Sequence, residues 1–221
     1  MKMATKVIAV DGPSASGKGT VASRVAAALG WSYLDSGALY RLAALYARRK
    51  GVEWTDEAAV AALAAALPVQ FDGQRVLLDG EDVGNAIRSE EIGMGASAVA
   101  QFPAVRAALL QRQRDFQTAS GLVADGRDMG SVVFPDAALK VFLTASAQVR
   151  AERRAKQLGI ACEGVAFDRI LADIESRDEA DRRRAAAPLV QLPDAMLLDT
   201  SDMGIEEAVK KVVDWYEQKQ I

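Results

Sequence analysis

The 221 residues are half hydrophobic and about a quarter charged, the balance of an ordinary globular chain with one substantial core. A net charge of −3 argues against a general nucleic-acid binder; no stretch approaches the ~20 apolar residues of a membrane span, and the N-terminus lacks a signal-peptide pattern. Histidine is absent, which excludes Ser-His-Asp triads, histidine general bases and His-containing metal sites, while a single cysteine, Cys162, excludes an internal disulfide and points to a reducing, cytoplasmic setting.

In chain order, "KVIAV" reads as a buried strand, and "GKGTVASRVAAALG" as a helix closed by Gly30. "WSYL" is a short second strand. The helix of "DSGALYRLAALYARRKG" starts near Asp35 or Ser36 and ends before Gly51, and that of "TDEAAVAALAAALP" is capped by Thr55 or Asp56 and stopped by Pro68. The period then changes: "VQFDGQRVLLDGEDV", broken at Asp72-Gly73 and Asp79-Gly80, has the composition of a small antiparallel hairpin. Two helical stretches follow, "SEEIGMGASAVAQF" and "PAVRAALLQRQRDFQTA". "GLVADGRDMG" is a strand running into a polar loop, "ALKVFLTA" a strand before the helix "SAQVRAERRAKQLG", and "AMLLDTS" a last strand. The C-terminal helix carries an apolar stripe of Ile205, Val209, Val212, Val213 and Tyr216, expected to pack into the core. Alternating strands and helices predict an α/β fold, a parallel sheet covered on both faces, with the hairpin inserted at one edge.

The chemistry begins at "GPSASGKGT". Gly12 to Lys18 match the first seven positions of the phosphate-binding loop G-x-x-x-x-G-K-[ST], placed between a strand and a helix as that loop requires. Gly12 and Gly17 permit backbone turns that aim N–H groups inward, the helix start adds its positive end, and Lys18 brings a mobile point charge. The segment Gly12, Pro13, Ser14, Ala15, Ser16, Gly17, Lys18, Gly19 and Thr20 is therefore expected to bind a nucleoside triphosphate, ATP or GTP. Where a hydroxyl ligand of Mg²⁺ usually stands there is Gly19, with Thr20 one place later, so Mg²⁺ would be held mainly by phosphates, water and a carboxylate, and its protein ligands stay unassigned. No Asn-Lys-x-Asp stretch for reading guanine occurs.

Three more stretches address the acceptor. "DSGALYR" places Ser36, Tyr40 and Arg41 at a helix start. "ADGRDMG" places Asp125, Arg127 and Asp128 at a strand end, where open parallel sheets keep their ligand crevice, and "ESRDEADRRRAAAPL" sets Arg177, Asp181 and Arg184 at spacings of four and three, on one helical face. Together with the loop, these motifs resemble bacterial cytidylate kinases, P-loop nucleoside monophosphate kinases, over most of the chain from Val7 to Leu189. The resemblance implies one three-layer kinase domain over 1–221, an acceptor-binding region at about 36–102 that contains the antiparallel insert, and a short lid at about 150–165. It implies Lys18, Arg127 and Arg41 as catalytic, with the two arginines gripping the acceptor phosphate. Ser97, Arg106 and Asp128 would meet cytosine, Arg177 and Asp181 the pentose, and Arg184 the acceptor nucleotide. A uracil carbonyl facing Asp128 would leave a carboxylate unpaired, at about 1–3 kcal/mol or more.

Arg150, Arg153 and Arg154 fall in the lid stretch; Arg150 and Arg154 share a face, as a phosphate clamp would, though a solvated helix gives the same pattern. Arg182 and Arg183 are expected at the surface. The expected reaction moves the γ-phosphoryl group of Mg²⁺-bound ATP to CMP or dCMP. The acceptor phosphate, with a second pKa of ~6, needs no general base, in keeping with a chain without histidine. The expected protein is a cytoplasmic monomer of pyrimidine nucleotide metabolism, with small-molecule partners and neither nucleic acid nor membrane. A kinase of UMP, AMP or another small acceptor, or a non-catalytic ATP-binding regulator, are the alternatives.

Overall fold

The computed structural model describes residues 6–72 and 75–219. They divide into two compact units, one running up to Leu34 and resuming at Phe116, the other lying between Asp35 and Asp115.

The first unit is built on a parallel sheet. Strand β1 (Val7–Asp11) is buried along its whole length, which is why it reads as a continuous apolar run. It lies between β6 (Leu122–Gly126) and β7 (Leu139–Thr144), with β2 (Ser32–Asp35) beyond β6 and β8 (Met196–Asp199) beyond β7. Asp11 is level with Gly126 on one side and Phe142 on the other, so the segments leaving the carboxyl ends of β1 and β6 emerge side by side. Helix α1 (Lys18–Leu29) and helix α8 (Ile205–Gln218) share one core with the sheet: Val21 and Val25, Val212 and Tyr216, against Ile8, Val10, Val123, Val141 and Leu143. Trp31 meets Tyr216 edge-on, with ring centroids 4.9 Å apart. Gly30 ends α1 in a left-handed conformation (φ 67°), which lets the Trp31 N–H close on Ala26 O. The buried stripe of α8 is Ala208, Val209, Val212 and Tyr216, with Val213 partly buried, whereas Ile205 is exposed. Ile205 opens the helix, ahead of the turns that reach the core. Helices α6 (Ala147–Leu158) and α7 (Val165–Arg183) pair through Ala151, Ala155, Phe167 and Ile174.

The second unit holds α2 (Ser36–Arg49), α3 (Glu57–Ala65), α4 (Glu90–Val99) and α5 (Pro103–Arg114). Of the alternative caps, Asp35 and Asp56 are the ones used, each accepting from a backbone N–H three residues on, at 3.0 Å. The expected hairpin is a three-stranded antiparallel sheet of β3 (Val69–Asp72), β4 (Arg75–Leu78) and β5 (Glu81–Asp82). The third strand forms because Asp79 and Gly80 both take positive φ (51° and 81°), as a two-residue hairpin turn demands. Gly73, in the other expected turn, lies outside the described residues. Trp54 donates to Ala44 O (2.9 Å) and packs on Gly95, where an added Cβ would fall 2.5 Å from the ring, so this tryptophan holds α2 and α4 together. The unit runs on past residue 102 because α5 packs on α3. Helix α5 stops at Arg114, short of the expected "QTA"; the Thr118 hydroxyl there donates to Gly121 O (3.2 Å) and turns the chain toward β6.

Candidate nucleotide-binding site

Residues 12–17 turn tightly between β1 and α1. A Cβ on Gly12 would lie 2.0 Å from the backbone oxygen of Leu143 in β7, so only glycine fits. Ala15 (φ 57°) and Gly17 (φ 87°) are left-handed; for alanine this conformation is strained, and such strain concentrates where a loop is shaped for a ligand. Helix α1 starts from Gly17 with neither a side-chain cap nor an acidic residue in its own first turn, so none of its own side chains offsets its positive end. Lys18 is buried, its Nζ lying back over the loop toward Pro13 O (3.4 Å). Thr20 is exposed. Ser16 is buried, and among the described residues its Oγ finds no hydrogen-bond partner.

Gly19 has a neighbour that explains the missing hydroxyl. A Cβ there would meet the Tyr33 hydroxyl at 3.3 Å and the Asp125 carboxylate at 3.8 Å, and Tyr33 donates to Asp125 Oδ1 at 2.6 Å. A phenol and a carboxylate thus flank the place of the usual Ser or Thr. No cluster of three or more metal-ligating side chains occurs among the described residues, so a Mg²⁺ ion here would depend on phosphate and water oxygens, with Asp125 as the nearby carboxylate.

Beyond β6, the expected polar loop contains a π-helical turn, Met129–Val133. Its first N–H groups, of Met129 and Gly130, both donate to the Asp11 carboxylate at 2.8 Å. Burial pushes the Asp11 pKa up to about 6, these two hydrogen bonds notwithstanding; nearby Asp128 adds to the rise and Arg127 opposes it. Asp128 is itself buried. Arg127 donates from Nε to Asp181 Oδ2 (2.6 Å) and from Nη2 to Ser14 Oγ (3.0 Å). Burial alone would lower its pKa, but the carboxylates of Asp181, Asp125 and Asp178 outweigh that and hold it above the ordinary arginine value. Arg184 Nη1 lies 3.7 Å from Asp181 Oδ1, so Asp181 sits between two guanidinium groups. Arg184 is extended rather than helical, since α7 ends at Arg183; its Nε donates to the carbonyl of Ala187, another left-handed alanine. The three residues expected on one helical face are joined by a helix end and a strained turn.

In the lid stretch, Arg150 is no exposed phosphate clamp. It is buried against Asp178 (2.6 Å) and donates to Ala145 O and Ser14 O (2.9 Å each), beneath the phosphate loop. Arg153 also braces the loop, donating to Ser16 O (3.2 Å) and to Thr200. Arg154 donates to Gln157 Oε1 (3.4 Å), and burial and then the charge of Arg177 lower its pKa. Arg182 and Arg183 are exposed and pair with Glu179. In the second unit, Ser36 is buried at the start of α2, and the Arg106 guanidinium lies 5.6 Å from the centroid of the Tyr40 ring while donating to Ala100 O (3.1 Å). Arg41 donates to Ile87 O (2.9 Å), and Ser97 Oγ donates to Gly93 O (3.2 Å).

The cytidylate kinase family model matches residues 8–218 of the chain. The chain belongs to the cytidylate kinase family. It is 73% identical to the cytidylate kinase of Neisseria gonorrhoeae (96% of this chain, 97% of the relative), 62% identical to that of Chromobacterium violaceum (99% and 98%) and 56% identical to that of Bordetella pertussis (96% of each). A solved structure of an uncharacterized protein from Eubacterium ventriosum, 11% identical, shares the fold over 96% of this chain and 98% of that one, with a TM-score of 0.50. This cytidylate kinase family member is thus an enzyme of the nucleoside monophosphate kinase class. Three of its site residues escape a reading of motifs. Asp11 is a polar residue ending an apolar strand just before Gly12, which is a usable signal; Tyr33 and Asp178 carry none, because nothing in their spacing tells which way they face.

Proposed function

We propose that the protein transfers the γ-phosphoryl group of ATP to CMP and dCMP, in the cytoplasm and as a monomer. The observation that carries the reading is the Arg127–Ser14 hydrogen bond of 3.0 Å, which ties an arginine assigned to the acceptor phosphate to the loop assigned to the donor. Phosphoryl transfer depends on that alignment and on charge neutralisation more than on covalent chemistry by the enzyme. Loop amides from Ala15 to Thr20, the N-terminal end of α1 and Lys18 would hold the donor phosphates. Mg²⁺, when bound, supplies neutralisation of the β- and γ-phosphate charge, and Asp125 is the residue that would hold it, directly or through water. Arg127 and Arg184 would exchange the Asp181 carboxylate for an acceptor phosphate, freeing Asp181 for the pentose beside Arg177, and Asp128 would accept from the cytosine amino group. In the second unit, Ser36, Tyr40, Arg41, Ser97 and Arg106 are the acceptor-binding residues. Arg106 on the Tyr40 face is a planar cation already held still, suited to a flat base. Arg154 would meet phosphate oxygens.

ADP release measured with CMP, dCMP, UMP and AMP in parallel tests the reading, with Asp128→Asn assayed beside the parent. Activity confined to the two cytidine nucleotides, and weakened selectivity in the variant, is the expected result. Equal turnover of UMP by the parent chain would refute the base assignment.

A further inference from the structure

Ser14 is the third residue of the phosphate loop, and its N–H, C=O and Oγ are each engaged from outside that loop. The N–H donates to Asp178 Oδ1 (3.2 Å), the carbonyl accepts from Arg150 Nη1 (2.9 Å), and the hydroxyl accepts from Arg127 Nη2 (3.0 Å). Asp178 and Arg150 form a pair 2.6 Å apart whose side chains are 2% and 5% exposed. Arg150 also donates through Nε to Ala145 O, just past β7. We propose that Asp178 and Arg150 are positioning residues for phosphoryl transfer, holding Ser14 in register with the sheet and, through its hydroxyl, setting Arg127.

A buried ion pair is a poor source of stability, because desolvation offsets most of the attraction and apolar residues of similar size do as well or better. What apolar residues cannot supply is direction. The guanidinium fork spans Ala145 O, Ser14 O and the Asp178 carboxylate at once, fixing the loop relative to β7 and α7 together. Helix α7 carries a second carboxylate three residues on, Asp181, on the same face. Asp178 holds the loop and Asp181 holds Nε of Arg127, while Ser14 holds the other end of that guanidinium. The helix therefore acts as a ruler between the donor loop and Arg127. Displacing reacting groups by 1 Å costs on the order of 10²-fold in rate. Loss of the pair should accordingly fall on kcat and leave ATP affinity nearly intact.

The proposal rests on the kinase reading above, and the test separates the two. Asp178→Asn strands a buried guanidinium and should be both slow and less stable. The paired change Asp178→Leu with Arg150→Met removes both charges together, so its Tm should recover part of the loss seen in Asp178→Asn, short of the parent by what the Ser14 and Ala145 backbone groups lose. Its kcat with CMP should still lie about 10²-fold below the parent, with the Kd for ATP altered less than about 3-fold. Recovery of kcat along with Tm would overturn the proposal, leaving the pair a structural one. Should the double variant not fold, Arg150→Lys decides: its ammonium keeps the charge but cannot span three acceptors, and a kcat within about 2-fold of the parent at parental Tm would overturn the proposal equally. Absence of ADP formation from CMP by the parent chain would instead overturn the kinase reading and this one with it.

Discussion

Gly12→Ala puts the packing of the phosphate loop to its sharpest test. The new Cβ would stand 2.0 Å from Leu143 O and 3.1 Å from Leu143 C, both backbone atoms. Ordinary contact needs more than an ångström of extra room, and β7 cannot give it, being hydrogen-bonded to β1 on one side and β8 on the other. The loop has to move instead. Overpacking of this kind costs about 1–3 kcal/mol, which for a chain of this length lowers Tm by roughly 2–12 °C. The kinetic cost is larger, since a shift of about 1 Å at the donor loop corresponds to on the order of 10²-fold in kcat. Thermal melts and steady-state ADP release with CMP would measure the two effects. Gly30→Ala is the control: it places Cβ in open space at φ 67°, so it should lose about 1–2 kcal/mol of stability and no activity. A Gly12→Ala protein with parental kcat and Tm would refute the reasoning.

Lys18→Ala should reduce turnover by about 10²–10³-fold while Tm holds, since this residue's contribution is charge at the phosphates; near-parental ADP release would remove the loop assignment. Ser16→Ala deletes a buried hydroxyl that lacks a partner among the described residues, so the variant should be about 1 kcal/mol more stable in urea melts, and a loss of stability would contradict that geometry. Asp11, with its pKa raised from 3.8 to about 6, binds its proton more tightly folded than unfolded. Folding stability should therefore fall by about 2–3 kcal/mol on this account as pH rises from about 4 to about 6, then level off. Asp11→Asn should remove that slope in melts across the same range, and an unchanged slope would assign it to other groups.

The order of strands and helices was legible because each element carries its own period and its own stop: Gly30 after α1, Asp35 before α2, Asp56 before α3. The donor loop was legible for a similar reason, since its chemistry is local and its residues are consecutive. Arg150 was not. Its four-residue spacing from Arg154 fixes a shared face on α6, but which part of that face is buried depends on Asp178, far along the chain. Long-range carboxylate partners are invisible to local periodicity, and the same holds for Tyr33 on Asp125 and for Asp11 under the π-helical turn. Arg184 shows the converse limit, because helical spacing was extended one residue past the end of the helix.

The bare start of α1 has a consequence for the protein between turnovers. A helix that opens on Gly17, with neither a side-chain cap nor an acidic residue in its first turn, presents a positive end that a bound anion neutralises, and this one follows a loop with a left-handed alanine. An anion bound there stabilises the folded chain and leaves the unfolded one unaffected. A ligand at 100 times its Kd adds about 2.7 kcal/mol to the folding free energy, a sizeable share of a typical domain's stability. Resistance to unfolding and to proteolysis should therefore rise and fall with the surrounding nucleotide concentration, so that the chain lasts longest where its donor is plentiful.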